Sequence, residues 1–174
     1  LQNSKEVIPC FIYDSNLIKK LTNSKFRWNF LNESLLDLDE SLKKKESRLQ
    51  VLEGNTEKSL EKIIKKHKIR AIFSNKDFSN YAQNRDEKIF QVCKRNEIPF
   101  NSTLDFLLHN PNDIKTNDNL PYTIYSFFYK KAKTFPIRKI TKNSKKNYSN
   151  EIISNIQIKK LEDNNSEIKG GRKE

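Results

Sequence analysis

A chain of 174 residues with 34% hydrophobic and 10% aromatic content is long enough for one domain with a buried core and a tail, and too apolar for a wholly disordered protein. Its 34 Lys and Arg against 22 Asp and Glu leave a formal charge of +12, which brings nucleic acid into consideration as a partner. No apolar run reaches the length of a membrane span and the start lacks the order of a signal peptide, so the expectation is a cytoplasmic protein with no membrane partner.

The run Val7-Ile-Pro-Cys-Phe-Ile-Tyr13 is continuously apolar and stops at Asp14, as a strand buried on both faces does. Pro9 is tolerable at a strand start. Leu1 to Glu6 read like the end of a helix leading into that strand, so the natural beginning of the chain is expected to be missing. Asn23 and Ser24 offer caps for a helix over about residues 25–45. Trp28, Leu31, Leu35, Leu38 and Leu42 recur on it at steps of three and four, with Phe30 and Leu36 beside them, and Lys43 to Lys45 suit its carboxyl end. That stripe reads as core rather than as a cofactor box.

Residues 48–52 alternate as a strand, and Glu53-Gly54-Asn55-Thr56 reads as a turn with Thr56 capping the next helix. Leu60, Ile63, Ile64 and His67 mark one face of that helix, and residues 69–73 supply another strand. The next stretch turns through Ser74, Asn75 and Asp77 into a helix that carries Tyr81, Arg85 and Asp86 and runs to about residue 96. Such a handover from strand to helix places side chains at the carboxyl edge of a parallel sheet, the usual ligand position in open α/β folds. Residues 98–100 make a short strand, and Leu104, Phe106, Leu107 and Leu108 a brief turn of helix.

Strands and helices thus alternate four times, which predicts an α/β fold: a Rossmann-like parallel sheet with right-handed crossovers and helices on both faces. After Pro111 the alternation stops. Residues 112–119 read as a polar loop and 121–131 as a helix dense with aromatics. From residue 134 on, Lys, Asn and Ser dominate, interrupted by Ile152, Ile153, Ile156 and Ile158, which reads as a basic linker over 134–174 after a domain over 1–133. The charge follows this division. From Tyr129 onward there are 13 basic and 5 acidic residues, a surplus of +8, against 21 and 17, a surplus of +4, before it.

Cys10 and Cys93 form no CxxC and lack paired His spacing, so both are expected to be buried thiols in a reducing compartment, with no metal site. His67 and His109 are expected at the surface or as caps. Three glycines leave no GxGxxG and no GxxxxGK[ST], and no Ser lies in a GxSxG elbow, so dinucleotide, P-loop and hydrolase chemistry lack their backbone requirements. Asn75, Asp77, Tyr81 and Arg85 do form a constellation. Asp77 can accept from a ligand hydroxyl or ring N–H, Phe78 or Tyr81 can stack on a flat ring, and Arg85 can pair with Asp86 or an acidic ligand group. The same residues also read as helix caps and a surface ion pair, and composition does not choose between the two.

In order, VIPCFIYD, FRWNFLNESLLDLDESL, SRLQVLEGN, FSNKDFSNYAQNRD, LLHNPNDIKTNDNLPYTIYSFFYKKA and Gly170-Gly171 resemble the amino-terminal α/β domain of the photolyase and cryptochrome family, over nearly all of residues 7–132. The turn ending in Arg85-Asp86 and the Pro121-Tyr122 segment carry the resemblance together, and it looks most like class I cyclobutane pyrimidine dimer photolyases. It implies an antenna domain of a light-driven DNA-repair lyase, expected as a monomer. That enzyme's reduced FAD belongs to a following helical domain beginning near Gly170-Gly171, and UV-damaged DNA is its substrate.

On this resemblance the chain is a fragment without the family's first strand or FAD domain, so no catalytic residue lies in it. Where folate-binding members have Asn-Glu this chain has Tyr81-Ala82, and the Asp77-to-Ala82 pattern looks more like the deazaflavin or flavin type. Asp77, Tyr81 and Arg27 are the implied pocket residues, with Asp14, Phe26 and Asn75 behind them. Arg27 also reads as a residue closing its helix onto the sheet. A cryptochrome photosensor and a self-contained nucleotide-binding α/β protein are the competing readings.

Overall fold

A computed structural model of the chain describes residues 4–137, 139, 146–159 and 168–172. Strand β1, Cys10–Asp14, pairs in parallel with β2, Gln50–Gly54, in the register Phe11 to Val51 and Tyr13 to Glu53. Strand β3, Ile72–Asn75, pairs in parallel with β4, Phe100–Thr103, with Ser74 opposite Ser102. Helices α1, Ser15–Leu21, and α2, Lys25–Lys43, connect the first pair, and α4, Asn80–Arg95, connects the second. Helix α3, Thr56–His67, joins the two halves and packs on β1, β2 and α4. The α/β class expected from the alternation is therefore present.

The single sheet is not. Among the described residues no ladder joins either strand of the first pair to either strand of the second, so β1 and β3 each keep an open edge. Phe73 on β3 is 59% exposed, so the face of β3 that carries it is uncovered among the described residues.

The main core lies between α2 and the first strand pair. Tyr13, Trp28, Leu35, Leu42, Leu49 and Val51 are buried there, with Phe11, Ile18, Leu21 and Leu31 against them. Each of these large apolar side chains contributes about 1.5–3 kcal/mol by leaving water. A second layer on α4 buries Ala82, Ile89, Val92 and Cys93 next to Ile64 of α3. Burial raises the Cys93 thiol and pushes that of Cys10 up to about 12, although Cys10, expected to be buried, keeps exposed surface at the first position of β1.

The α2 stripe departs from its prediction. Phe30, Leu36 and Leu38 are exposed, and Asn29 and Asn32 are buried in their stead. Asn32 is paid for by its bonds: its Oδ1 accepts from the Tyr13 hydroxyl and its Nδ2 donates to the Trp28 carbonyl at 2.7 Å.

Helix α1 has only seven residues; Asp14 starts it by accepting from the Asn16 N–H at 2.9 Å, and its Ile18 and Leu21, one turn apart, lie against the main core. The cap of α3 is Asn55, not Thr56, and that of α4 is Ser79, with Asp77 closing the turn before it by accepting from the Ser79 N–H at 2.9 Å. Residues 104–108 bend without forming the expected helical turn, and a 3-10 turn follows at Pro111–Asp113. Helix α5 covers Tyr125–Ala132.

The described part of the predicted linker has no helix or strand, yet it is fixed to the domain. Val7 and Tyr148 form a parallel bridge, and the buried Ser149 carbonyl accepts from Ser47 Oγ at 2.8 Å. Gln50 Oε1 accepts from the N–H groups of Ile153 and Ser154 at 2.8 and 3.1 Å. Val51 donates to Ser154 Oγ at 2.9 Å and accepts from the Asn155 N–H at 3.1 Å, so residues 153–155 cover the outer edge of β2. Ile156 and Ile158 pack on the main core. The remainder of 134–174, and residues 1–3, lie outside the described residues.

Gly170 and Gly171 lie on α2. Their N–H groups donate to Glu33 Oε2 at 2.6 Å and Ser34 Oγ at 3.1 Å. A Cβ on Gly170 would meet the Phe30 carbonyl oxygen at 2.1 Å, which backbone cannot yield. Gly170→Ala is expected to detach residues 168–172, read as faster tryptic cleavage after Lys169 and Arg172 than in the parent chain; equal cleavage would mean that the segment is not held on α2.

Candidate functional site

The carboxyl ends of β1 and β3 bring Asp14 and Tyr81 together. Asp14, 8% exposed, accepts at Oδ2 from the Thr56 hydroxyl at 2.7 Å and from the Thr56 N–H at 3.4 Å, and its charge reaches the Tyr81 hydroxyl. One carboxylate thus ties the end of β1 to the first residue of α3 and acts electrostatically on the first turn of α4. Burial alone would raise the Asp14 carboxyl, but the hydrogen bonds from the Thr56 hydroxyl and from the Asn16, Thr56 and Leu17 backbone hold it below the ordinary value. The Tyr81 hydroxyl moves the other way: burial first, then the negative charge of Asp14, push it up, with Arg85 opposing.

Arg85 is held by Asp86, whose Oδ1 accepts from Nε at 2.9 Å and from Nη2 at 2.7 Å. Its charge also reaches Asp77, whose carboxylate is held below the usual value by the Ser79 N–H foremost. Asp77 is exposed and Tyr81 is 37% exposed, so both are accessible from solvent. Ser74, on β3 just before this turn, has a buried Oγ without a hydrogen-bond partner among the described residues.

Four of the residues singled out from the sequence, Asp14, Asp77, Tyr81 and Arg85, therefore share one electrostatic neighbourhood. Asn75 is turned to β4's end, its Nδ2 donating to Asp105 Oδ2 at 3.3 Å. Phe26, 60% exposed, and Arg27 lie in the first turn of α2, and no hydrogen bond, ion pair or ring contact joins them to Asp14, Asp77 or Tyr81 among the described residues. Thr56 was read only as a cap; its hydroxyl faces Asp14 instead, and nothing in the local pattern distinguishes the two roles.

This edge offers two carboxylates as acceptors, a phenol ring, a guanidinium and an unsatisfied hydroxyl, a set that suits a flat heterocycle with ring N–H and carbonyl groups. The histidines are elsewhere. His67, the last residue of α3, pairs through Nδ1 with the Glu151 carboxylate, and His109 lines a cavity of about 290 Å³ with Leu104, Leu107, Leu108 and Phe135 that includes none of the residues above. Among the described residues no group of His, Cys, Asp and Glu could hold a metal ion, and no helix is long and apolar enough to cross a membrane.

A family model described as DNA photolyase matches residues 1–145. The deoxyribodipyrimidine photo-lyase of Synechococcus is 25% identical over 133 residues, 76% of this chain and 28% of that protein. Cryptochrome-1 of Aedes aegypti is 27% identical over 126 residues, covering 72% of this chain and 23% of the other. Among solved structures, the archaeal photolyase from Sulfolobus tokodaii superposes with a TM-score of 0.67 and 34% identity over 80% of this chain and 31% of its own; it is described with two FAD molecules and the implication of a novel light-harvesting cofactor. The chain spans less than a third of the length of each of these relatives.

Proposed function

We propose, from the premise that this chain belongs to the DNA photolyase family, that residues 1–133 are the light-harvesting antenna domain of a deoxyribodipyrimidine photolyase. In this reading the intact protein is a lyase that repairs UV-induced pyrimidine dimers by light-driven electron transfer from FAD. The FAD belongs to a further domain that residues 134–174 connect to this one, and the present fragment alone is inactive. The observation that carries the reading is that Asp14, Tyr81, Asp77 and Arg85 share one electrostatic neighbourhood at the carboxyl edge.

The chromophore would be a deazaflavin or flavin rather than a folate. Asp14 and Asp77 suit ring N–H groups, Arg85 suits ring carbonyls, and the Tyr81 ring can stack on the chromophore. The Asp77-to-Ala82 pattern supports this choice, as does the second FAD described for the Sulfolobus relative. When bound, the chromophore absorbs near-ultraviolet or blue light and passes excitation onward. The protein holds it at a fixed distance and orientation and keeps water out.

Titrating the chain with FAD, FMN, a deazaflavin, a folate and ATP is expected to give a thermal stabilisation with the flavin or deazaflavin ligands, and Tyr81→Ala to weaken it about 10-fold, the loss of one aromatic stack. Stabilisation by ATP alone would favour a self-contained nucleotide-binding protein, and failure of every flavin, deazaflavin and folate would sink the antenna reading. A cryptochrome is the second reading, favoured by the Aedes relative. Light-dependent repair of a dimer-containing oligonucleotide by the intact protein separates the two.

A further inference from the structure

Helix α5 has only Ala132 buried among its eight residues. Tyr125 is 74% exposed, Phe127 54% and Tyr129 45%. The rings are nonetheless ordered on one another. Tyr125 and Tyr129, one turn apart, have centroids 5.8 Å apart and planes 17° from parallel, and Lys133, a further turn on, has its Nζ 4.7 Å from the Tyr129 centroid. The result is a ladder of a lysine and two rings, closed at the Lys133 end and open at Tyr125. Lys130 and Lys131 are exposed beside it.

Leaving such rings in water forgoes their burial energy, and exposed apolar patches of this kind mark interaction surfaces. The character of the partner follows from charge. Cores of protein interfaces are depleted in lysine, whereas here three lysines interleave with the rings. Residues 119–150 carry eight Lys or Arg and no Asp or Glu. A partner that uses both groups at once has regularly spaced negative charges and flat unpaired rings, which is the chemistry of a single-stranded nucleic acid: phosphates release counterions to lysines while bases stack on aromatic side chains.

We propose that the exposed face of α5 is a stacking platform for single-stranded nucleic acid, where a base adds to the open end of the Tyr125–Tyr129 stack and Lys130, Lys131 and Lys133 neutralise flanking phosphates. The platform is separate from the carboxyl-edge site and does not depend on the antenna reading.

Fluorescence anisotropy with a labelled oligothymidine of about twelve nucleotides, beside an abasic strand of the same length and charge, tests it on the 174-residue chain. Oligothymidine is expected to bind about 5- to 150-fold tighter than the abasic strand, the range of one stacked base. The double variant Tyr125→Ala, Tyr129→Ala is expected to lose that preference while keeping its affinity for the abasic strand and its circular dichroism. Lys130→Gln with Lys131→Gln should weaken both strands and flatten the salt dependence. Equal affinity for the two strands, or a preference that survives the double tyrosine variant, overturns the proposal. So does ring-dependent self-association in sedimentation, which would make α5 a face between copies of the chain.

Discussion

Supplying one further parallel strand, as a peptide or as an extension ahead of Leu1, is expected to raise the melting temperature of this chain by about 10 °C and to sharpen its transition. β1 and β3 each leave one edge unpaired. A single parallel strand seated between those edges, one interstrand spacing of ~4.8 Å from each, would join the two pairs into one sheet, so the open edges define a slot for one strand.

A five-residue strand between two neighbours forms roughly ten ladder hydrogen bonds at about 1 kcal/mol net each, about 10 kcal/mol in all, against about 1–1.5 kcal/mol of backbone entropy per residue, about 5–8 kcal/mol. A surplus of a few kcal/mol corresponds to the stated shift for a domain of this size. Without the strand, the exposed Phe73 and the open edges of β1 and β3 predict a labile, poorly soluble chain. A cooperative, high-temperature melt of the 174 residues alone, unchanged by added strand, would show that β1 and β3 do not flank such a slot.

The second large effect belongs to Asp14. Asp14→Ala removes the acceptor for the Asn16 N–H that starts α1 and for the Thr56 hydroxyl. Losing a cap and leaving the Thr56 hydroxyl at a buried position without its acceptor is expected to cost about 2–4 kcal/mol in denaturant unfolding. The pH dependence follows from the direction of its shift. The folded carboxyl lies below its ordinary value, so its stabilisation is fully present above about pH 4 and is lost as pH falls through the folded value. The parent chain should therefore lose stability on acidification below pH ~4 by more than Asp14→Ala does. Parallel acid profiles for the two would mean that Asp14 is no more stabilised as a carboxylate in the folded state than in the unfolded one.

The local alternation of the chain carried most of the element order because it records which faces are buried. The apolar run into Tyr13, the amphipathic period of α3 and the turn residues before Tyr81 each had one physical solution. The stripe on α2 was less legible. Asn32 is buried because Tyr13, nineteen residues earlier, supplies its partner, and Leu38 is exposed because nothing covers it. Helix α1 was missed because it is short: Leu17, Ile18 and Leu21 span little more than one turn, too few to set a helix apart from a loop, and its start depends on the cap from Asp14. The irregular, polar composition of residues 146–159 did suggest a segment without helix or strand. Its attachment to Gln50 and Val51 depends on partners about a hundred positions away.

At the candidate site the sequence by itself determined which side chains lie in the turn after β3: Asn75, Asp77, Tyr81 and Arg85 are within ten positions of one another, and a strand passing into a helix must present them at one edge. Only the tertiary structure decided which of them act together. Tyr81 lies within reach of the Asp14 charge across the gap between two strand pairs, Asn75 turns away to Asp105, and Phe26 and Arg27 stay apart on α2. Spacing along the chain sets how residues can neighbour one another within an element, whereas neighbours from different elements are set by strand pairing and by the hydrogen bonds that buried polar groups require.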